Sequence, residues 1–192
     1  MELIDKYLPE YSFRETHSRD VLATPEMTMA ATLAYQPDTD PFFRRAIALR
    51  ELPMRMRAAL GWKHETVSPP FGFSNFTLLE NSPDRELVYG LIGRFWQFDF
   101  GLVPIADSAA FQAFETPGVA KLVVGFSVTS QENGKTRLTT ETRAFCPDRA
   151  SYRKLAPYWY LIRPVSGMIR GRALKSIQRA SEGSQMAVFS EK

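Results

Sequence analysis

The chain predicts an α+β fold in which antiparallel strands are followed by one long C-terminal helix, and three observations carry that reading. Between residues 71 and 145, segments of strand character are divided by the turn formers Asn81-Ser82-Pro83-Asp84 and Asn133-Gly134. Beyond Cys146, apolar residues recur at helical spacing from Leu155 to Ala180. Near the start of the chain, a period of two gives way to two helix-start signals, Thr24-Pro25 and Asp40-Pro41.

The first strand is read from YSFRETHSRDV, where Phe13, Glu15 and His17 alternate with Arg14, Thr16 and Ser18. Thr24 suits an N-cap and Pro25 a first helical residue, opening a short helix through Met27, Met29, Ala30, Ala31 and Leu33 that ends by Pro37. A second helix is expected from Asp40-Pro41 through FFRRAIALRELPMRMRAAL, stopped at Gly61 and kinked or divided at Pro53. The strands follow as FSNFTLLE and RELVYGLIGRFWQF. After a looser stretch with Asp107, Ser108 and Pro117-Gly118 come AKLVVGFSVTSQ and GKTRLTTETRAF. Asp148 suits the cap of the last helix, expected to about Ala180 with interruptions at Pro157 and Pro164. At about 100° per residue, Leu155, Trp159, Ile162, Ser166, Ile169, Ala173, Ile177 and Ala180 share one side, flanked by Arg163 and Arg170. Residues 183–192 show no periodicity. One domain over 1–192 is expected, because no repeat, low-complexity block or linker divides the chain.

A length of 192 residues with 44% hydrophobic content suffices for a full core. The single Cys146 excludes an internal disulfide, and two histidines with one cysteine cannot supply a four-ligand structural zinc site, so neither a metal nor a cofactor is expected. No run approaches the roughly 18 apolar residues of a membrane span, and MELIDKYLPEY lacks the basic-then-apolar order of a secretory signal; a cytoplasmic protein is expected. The net charge of +3 is unevenly spread, since residues 149 to 181 carry eight Lys and Arg residues without one Asp or Glu. On a helix such a run is ordinarily a solvated face; the alternative is contact with phosphate-bearing lipid. No recognised reading motif supports nucleic-acid binding. G-x-G-x-x-G, a Walker lysine loop and G-x-S-x-G are likewise missing from the sequence, which disfavours nucleotide binding and serine hydrolysis.

The last two strands hold the candidate site. A two-residue Asn133-Gly134 turn pairs Phe126 with Glu141, Val124 with Arg143, Val128 with Thr139 and Leu122 with Phe145. One strand is then apolar and the other charged on a shared face, where an unpaired buried charge costs several kcal/mol. Glu141 and Arg143, about 7 Å apart along the strand, are read either as a salt bridge within the core or as groups lining a pocket and orienting a ligand's polar end. Arg143 is expected to lower the pKa of Glu141. Glu15 and His17 share a face of the first strand, Arg94 lies in RFWQF, and Trp96, Tyr158 and Trp159 are candidate aromatic walls. Each also has a plain structural reading, the histidine as a hydrogen-bonded strand residue and the aromatics as core.

The segments HSRDVLATPE at 17–26, ELVYGLIGRFWQF at 86–98, FETPGVAKLVVGFSV at 114–128, TRLTTETRAF at 136–145 and YWYLIRPVSGMIRGRALKSI at 158–177 resemble uncharacterised bacterial members of the START-like (SRPBCC, helix-grip) superfamily. The last segment also resembles domains fused to short-chain dehydrogenases. The resemblance implies a curved sheet wrapped around the C-terminal helix, with a hydrophobic cavity between them. No motif for sterol, phospholipid or polyketide recognition accompanies it. The function this implies is non-enzymatic binding or transport of a small hydrophobic molecule with a polar or acidic end, its head placed by Arg143, Arg94 or Arg163. The alternative is a polyketide cyclase/dehydratase-like enzyme moving a proton with His17 or Glu141. Peripheral membrane contact through the basic, aromatic helix is a further expectation.

Overall fold

The computed structural model describes residues 2–59, 72–83 and 85–190. Four of the five α-helices among the described residues begin where a short polar side chain accepts from a free amide. Thr24 is extended and its hydroxyl accepts a hydrogen bond from the Met27 N–H, opening the helix Pro25–Ala34. The Asp40 carboxylate accepts from the Phe42 N–H at 2.8 Å and opens Pro41–Ala59, which runs on through Pro53 without dividing. The stop expected at Gly61 lies outside the described residues. A five-residue helix, Leu3–Tyr7, and a six-residue helix capped by Asp107, Ser108–Ala113, were not expected from the sequence pattern. The final helix, Arg149–Ser190, spans 42 residues, continues through Pro157 and Pro164, and extends past the expected end at Ala180. Asp148 opens it by accepting from the Ser151 N–H at 2.8 Å. In chain order these helices are α1 (Leu3–Tyr7), α2 (Pro25–Ala34), α3 (Pro41–Ala59), α4 (Ser108–Ala113) and α5 (Arg149–Ser190).

Five strands, β1 (Phe13–Val21), β2 (Thr77–Ser82), β3 (Glu86–Gly93), β4 (Ala120–Ser130) and β5 (Thr136–Phe145), form one curved antiparallel sheet of order β1-β5-β4-β3-β2. The α+β arrangement of sheet, two helices after the first strand and long terminal helix is the expected one. β3 is shorter than RELVYGLIGRFWQF suggests, because the chain turns back at Arg94, whose N–H donates to the Phe100 carbonyl at 2.8 Å.

Both faces of the sheet are covered. On one, Val21, Leu87, Phe126, Val128 and Leu138 pack with Met29 of α2 and with Leu174 and Ile177 of α5, while Phe13, Leu91 and Ala144 pack with Leu155 and Trp159. On the other, Val88, Ile92 and Val123 pack with Ile4, Tyr7 and Leu8 from the N-terminal segment and with Phe111 of α4. The Phe111 ring lies so close to Gly90 that a β-carbon there would sit 2.9 Å from it. Each such fully buried aliphatic or aromatic side chain stabilises the fold by about 1.5–3 kcal/mol. Among the described residues, no helix is long and apolar enough to cross a membrane.

The β4–β5 hairpin corrects the sequence reading. Gln131 and Lys135 close a three-residue loop, Glu132-Asn133-Gly134, with Gly134 at φ +75° and its N–H donating to the Gln131 carbonyl at 3.0 Å. Asn-Gly therefore occupies the last two places of a longer loop instead of forming the whole turn. The register moves by one residue: Gly125 faces Glu141, Val123 faces Arg143, Phe126 faces Thr140 and Val124 faces Thr142. Since side chains alternate with a period of two, that step transfers Glu141 and Arg143 to the face opposite α5. They do not point into the space beneath the terminal helix.

Candidate functional site

The helix-facing side of the β1–β5 pair is where polar groups gather. Glu15 and His17 project from β1, and their cross-strand partners Thr142 and Thr140 project beside them from β5. His17 Nε2 lies 2.7 Å from Glu15 Oε1, and Glu15 is buried while the imidazole remains partly open. α5 passes directly above this pair at Gly167, where a β-carbon would stand 3.3 Å from Glu15 Oε1 and 3.5 Å from the His17 ring. A β-carbon at 167 would require the Glu15 carboxylate to give way by a few tenths of an ångström.

One turn further along α5, Arg170 reaches down to the same cluster. Its Nη1 donates to Thr140 Oγ1 at 3.4 Å, a long contact, and its Nε is sealed from solvent with no hydrogen-bond partner. Burial pushes the guanidinium down to about 10, against the pull of the Glu15 charge, so it stays cationic at neutral pH. The Thr142 hydroxyl is also enclosed and without a partner. A buried donor left unmatched costs about 1–3 kcal/mol. The cluster thus holds an incompletely satisfied cation and hydroxyl over a buried carboxylate and an imidazole.

Apolar surface adjoins it. Leu122 on β4 and Tyr89 on β3 pack against the helix-side core yet are only half buried in interior strands, as are Ile162 and Ile169 on α5. Toward the free edge of β1, an open cleft is lined by Glu15, His17, Tyr160, Arg163, Pro164 and Gly167. Among the described residues, no group of three or more His, Cys, Asp or Glu side chains could hold a metal ion.

The opposite face carries a second polar cluster with a different character. Arg14 grips Glu141 through two bonds, Nε to Oε1 at 2.8 Å and Nη2 to Oε2 at 2.7 Å. Arg143 Nε donates to Glu141 Oε1 at 2.6 Å, and its Nη1 donates to Asp5 Oδ1 at 2.7 Å and to the Leu8 carbonyl at 3.0 Å. Burial pushes the Glu141 carboxyl up, but hydrogen bonds from Arg14 and Arg143 outweigh it and hold the group below its ordinary value. The salt bridge weighed from the sequence is present, and it ties α1 to the sheet. A groove of about 360 Å³ runs beside it, lined in part by Arg14, Thr16, Arg137, Thr139 and Glu141.

The other candidates are dispersed. Phe126 borders Thr140 on the helix side and belongs to the core. Trp159 is buried and stacked on Phe13 at 5.3 Å, with Trp96 and Tyr158 half buried against the same cluster. Tyr158 also lies under the Arg50 guanidinium at 4.7 Å. Arg94 is exposed in the turn after β3 and donates to the Gly118 carbonyl at 3.2 Å. Arg163 stands exposed at the rim of the cleft. The structure therefore joins Glu15, His17, Phe126 and Arg163 along one side and removes Glu141, Arg143 and Arg94 from it. Thr140, Thr142 and Arg170 enter in their place. Arg170 was legible as an inward residue, because positions 159, 170 and 177 fall within about 20° of one another on a helix.

No protein-family model matches the chain, and no curated protein matches it. Similar solved structures include protein MLL2253 from Mesorhizobium loti, at 15% identity over 88% of this chain and 96% of that one, with a TM-score of 0.36. CalU16 from Micromonospora echinospora is 13% identical over 91% of this chain and 86% of its own, with a TM-score of 0.27. Hypothetical protein jhp0584 from Helicobacter pylori is 10% identical over 94% and 93%, with a TM-score of 0.35. Scores of this size carry no argument, and the fold described above rests on the chain's own strand order and terminal helix.

Proposed function

We propose that the chain is a START-like, helix-grip protein that binds a small, largely apolar molecule with an acidic end beneath α5, without transforming it. One observation carries this reading: Arg170 is cationic, its Nε is sealed and unmatched, and the equally unmatched Thr142 hydroxyl lies two residues along β5 from Thr140, which Arg170 touches. An anionic group accepting from Arg170 would offset the cost of its burial, and charge-assisted bonds from a guanidinium are among the strongest available. The half-buried Leu122, Tyr89, Ile162 and Ile169 supply apolar walls for the remainder of the molecule. Arg170 takes the head-group role expected of Arg143, Arg94 or Arg163.

The test is calorimetric titration of the purified chain with a straight-chain fatty acid and with the alcohol of equal length. The acid is expected to bind at least about tenfold more tightly than the alcohol, and Arg170→Met to erase that preference while keeping the alcohol's affinity. Equal affinity for both in the unsubstituted chain, or no binding of either, overturns the proposal.

The Glu15–His17 contact favours a second reading, an acid–base enzyme of cyclase or dehydratase type. A buried carboxylate at 2.7 Å orients an imidazole that opens on the cleft, the arrangement a proton carrier needs. If so, His17→Gln removes turnover of an enolisable cyclic ketone, followed by deuterium incorporation. A rate of exchange no higher with the unsubstituted protein than with buffer dismisses it.

A further inference from the structure

The outward side of α5 is apolar in its middle and basic at both ends. Leu161, Val165 and Met168 lie within about 40° of one direction on the helix, away from the buried Leu155, Ala173 and Ile177, and they are 76%, 38% and 50% exposed. Tyr160, 61% exposed, borders them on the side of the cleft. Lys154, Lys175 and Arg179 fall in the same arc on either side of the apolar patch, exposed and without ion-pair partners among the described residues. No Asp or Glu occurs from 149 to 181. An ordinary solvated helix face carries its polar residues where this one carries leucine, valine and methionine.

We propose that this face of α5 docks the protein on an anionic lipid bilayer, with Leu161, Val165 and Met168 entering the boundary between headgroups and acyl chains. Charge selects the occupant. A second copy brought face to face would set basic ends against each other or leave them unmatched, whereas an anionic surface matches all of them at once. Bare nucleic-acid phosphates would leave the apolar centre without a counterpart. The stretch from Lys154 to Arg179 runs about 38 Å along the helix, a line suited to a planar surface, and a tyrosine at the border of an apolar patch is the usual interfacial arrangement. Docking in this way brings the cleft beside His17 and Tyr160 close to the lipid. It needs no occupant of the site beneath α5, so it stands or falls separately from the function proposed above.

The experiment is vesicle flotation of the full chain with phosphatidylcholine alone and with equal parts phosphatidylcholine and phosphatidylglycerol. Binding is expected on the mixed vesicles only, weakening as salt is raised. Lys154→Glu and Lys175→Glu are each expected to lower it about fivefold or more, and Leu161→Asp with Met168→Asp at least about tenfold. All four positions are exposed, and an unchanged circular dichroism spectrum and melting temperature confirm that the fold is intact. No flotation on either vesicle, equal flotation on both, indifference to the Leu161 and Met168 changes, or a dimer in sedimentation that those changes dissolve would each overturn the proposal.

Discussion

Each face of the sheet takes an arginine from water, Arg143 wholly and Arg170 in part, and the fold treats them in opposite ways. On the α1 side, Arg143 has Glu141, Asp5 and the Leu8 carbonyl as acceptors and the Tyr11 ring 4.8 Å from its guanidinium. On the α5 side, Arg170 has one hydroxyl at 3.4 Å and a bare Nε. Both groups were costly to take from water. One is compensated inside the protein and serves as an anchor; the other keeps an unmatched Nε, which the proposed ligand would satisfy. Charged residues among apolar neighbours look alike in a sequence, and only the count of their partners separates these roles.

The sharpest way to break this comparison is to remove one partner on each side. Glu141→Ala takes one acceptor from buried Arg143, which keeps Asp5 and the Leu8 carbonyl, and both bonds from the half-exposed Arg14, and is expected to cost about 2 kcal/mol in urea unfolding. Arg170→Met removes a poorly satisfied cation and is expected to leave stability unchanged or to raise it by about 1 kcal/mol. Equal losses from the two would show that both arginines are anchors.

Acid offers a second, smaller contrast. Hydrogen bonding to Arg143 holds Asp5 below its ordinary value, and Glu141 is held below its own by Arg14 and Arg143 against burial. Carboxyls depressed by folding contribute stability that is present above their unfolded value, about 4, and lost as pH falls through it toward the folded one. Asp148 is held down to about 2, first by the Gly118 N–H and then by Ser151, and keeps the α5 cap through that range. Amide exchange in α1 is therefore expected to quicken below about pH 4 while the first turn of α5 stays protected. Simultaneous release of both would contradict the assignment of the network to α1. The smallest effect concerns the loop that sets the register: Gly134→Ala, at φ +75°, is expected to cost about 1 kcal/mol in the same unfolding assay. No loss there would mean that the loop does not require the left-handed residue on which the register depends.

What could be read in advance was local. Thr24, Asp40 and Asp148 announce their helices because each satisfies an amide two or three residues away, within the span that a sequence window covers. The succession of strands along the chain and the presence of a long terminal helix follow from periodicity, although that helix runs past the expected end at Ala180. The failures share one origin, a dependence on distant partners. Asn133-Gly134 fits both a two-residue and a three-residue loop, and the choice flips every side chain of β5. It is the longer loop that faces Leu138 and Ala144 toward α5 and Glu141 and Arg143 toward α1. α1 itself has only five residues, and its place is fixed by Asp5 meeting Arg143 far along the chain and by Ile4 and Tyr7 packing on β3 and β4. That Glu15 and His17 share a face of β1 was legible from their spacing of two, and the structure shows Phe13 and Val21 of the same alternation packed on the helix side.

Among the described strands β1 comes first in the chain, and its sheet neighbour β5 comes last. Arg14 and Glu141 are 127 residues apart, an interval of roughly 6 to 25 seconds of synthesis at ordinary rates. For that interval the YSFRETHSRDV segment lacks the β5 partner it has in the sheet, and a polar make-up of this kind disfavours aggregation of an unpaired strand.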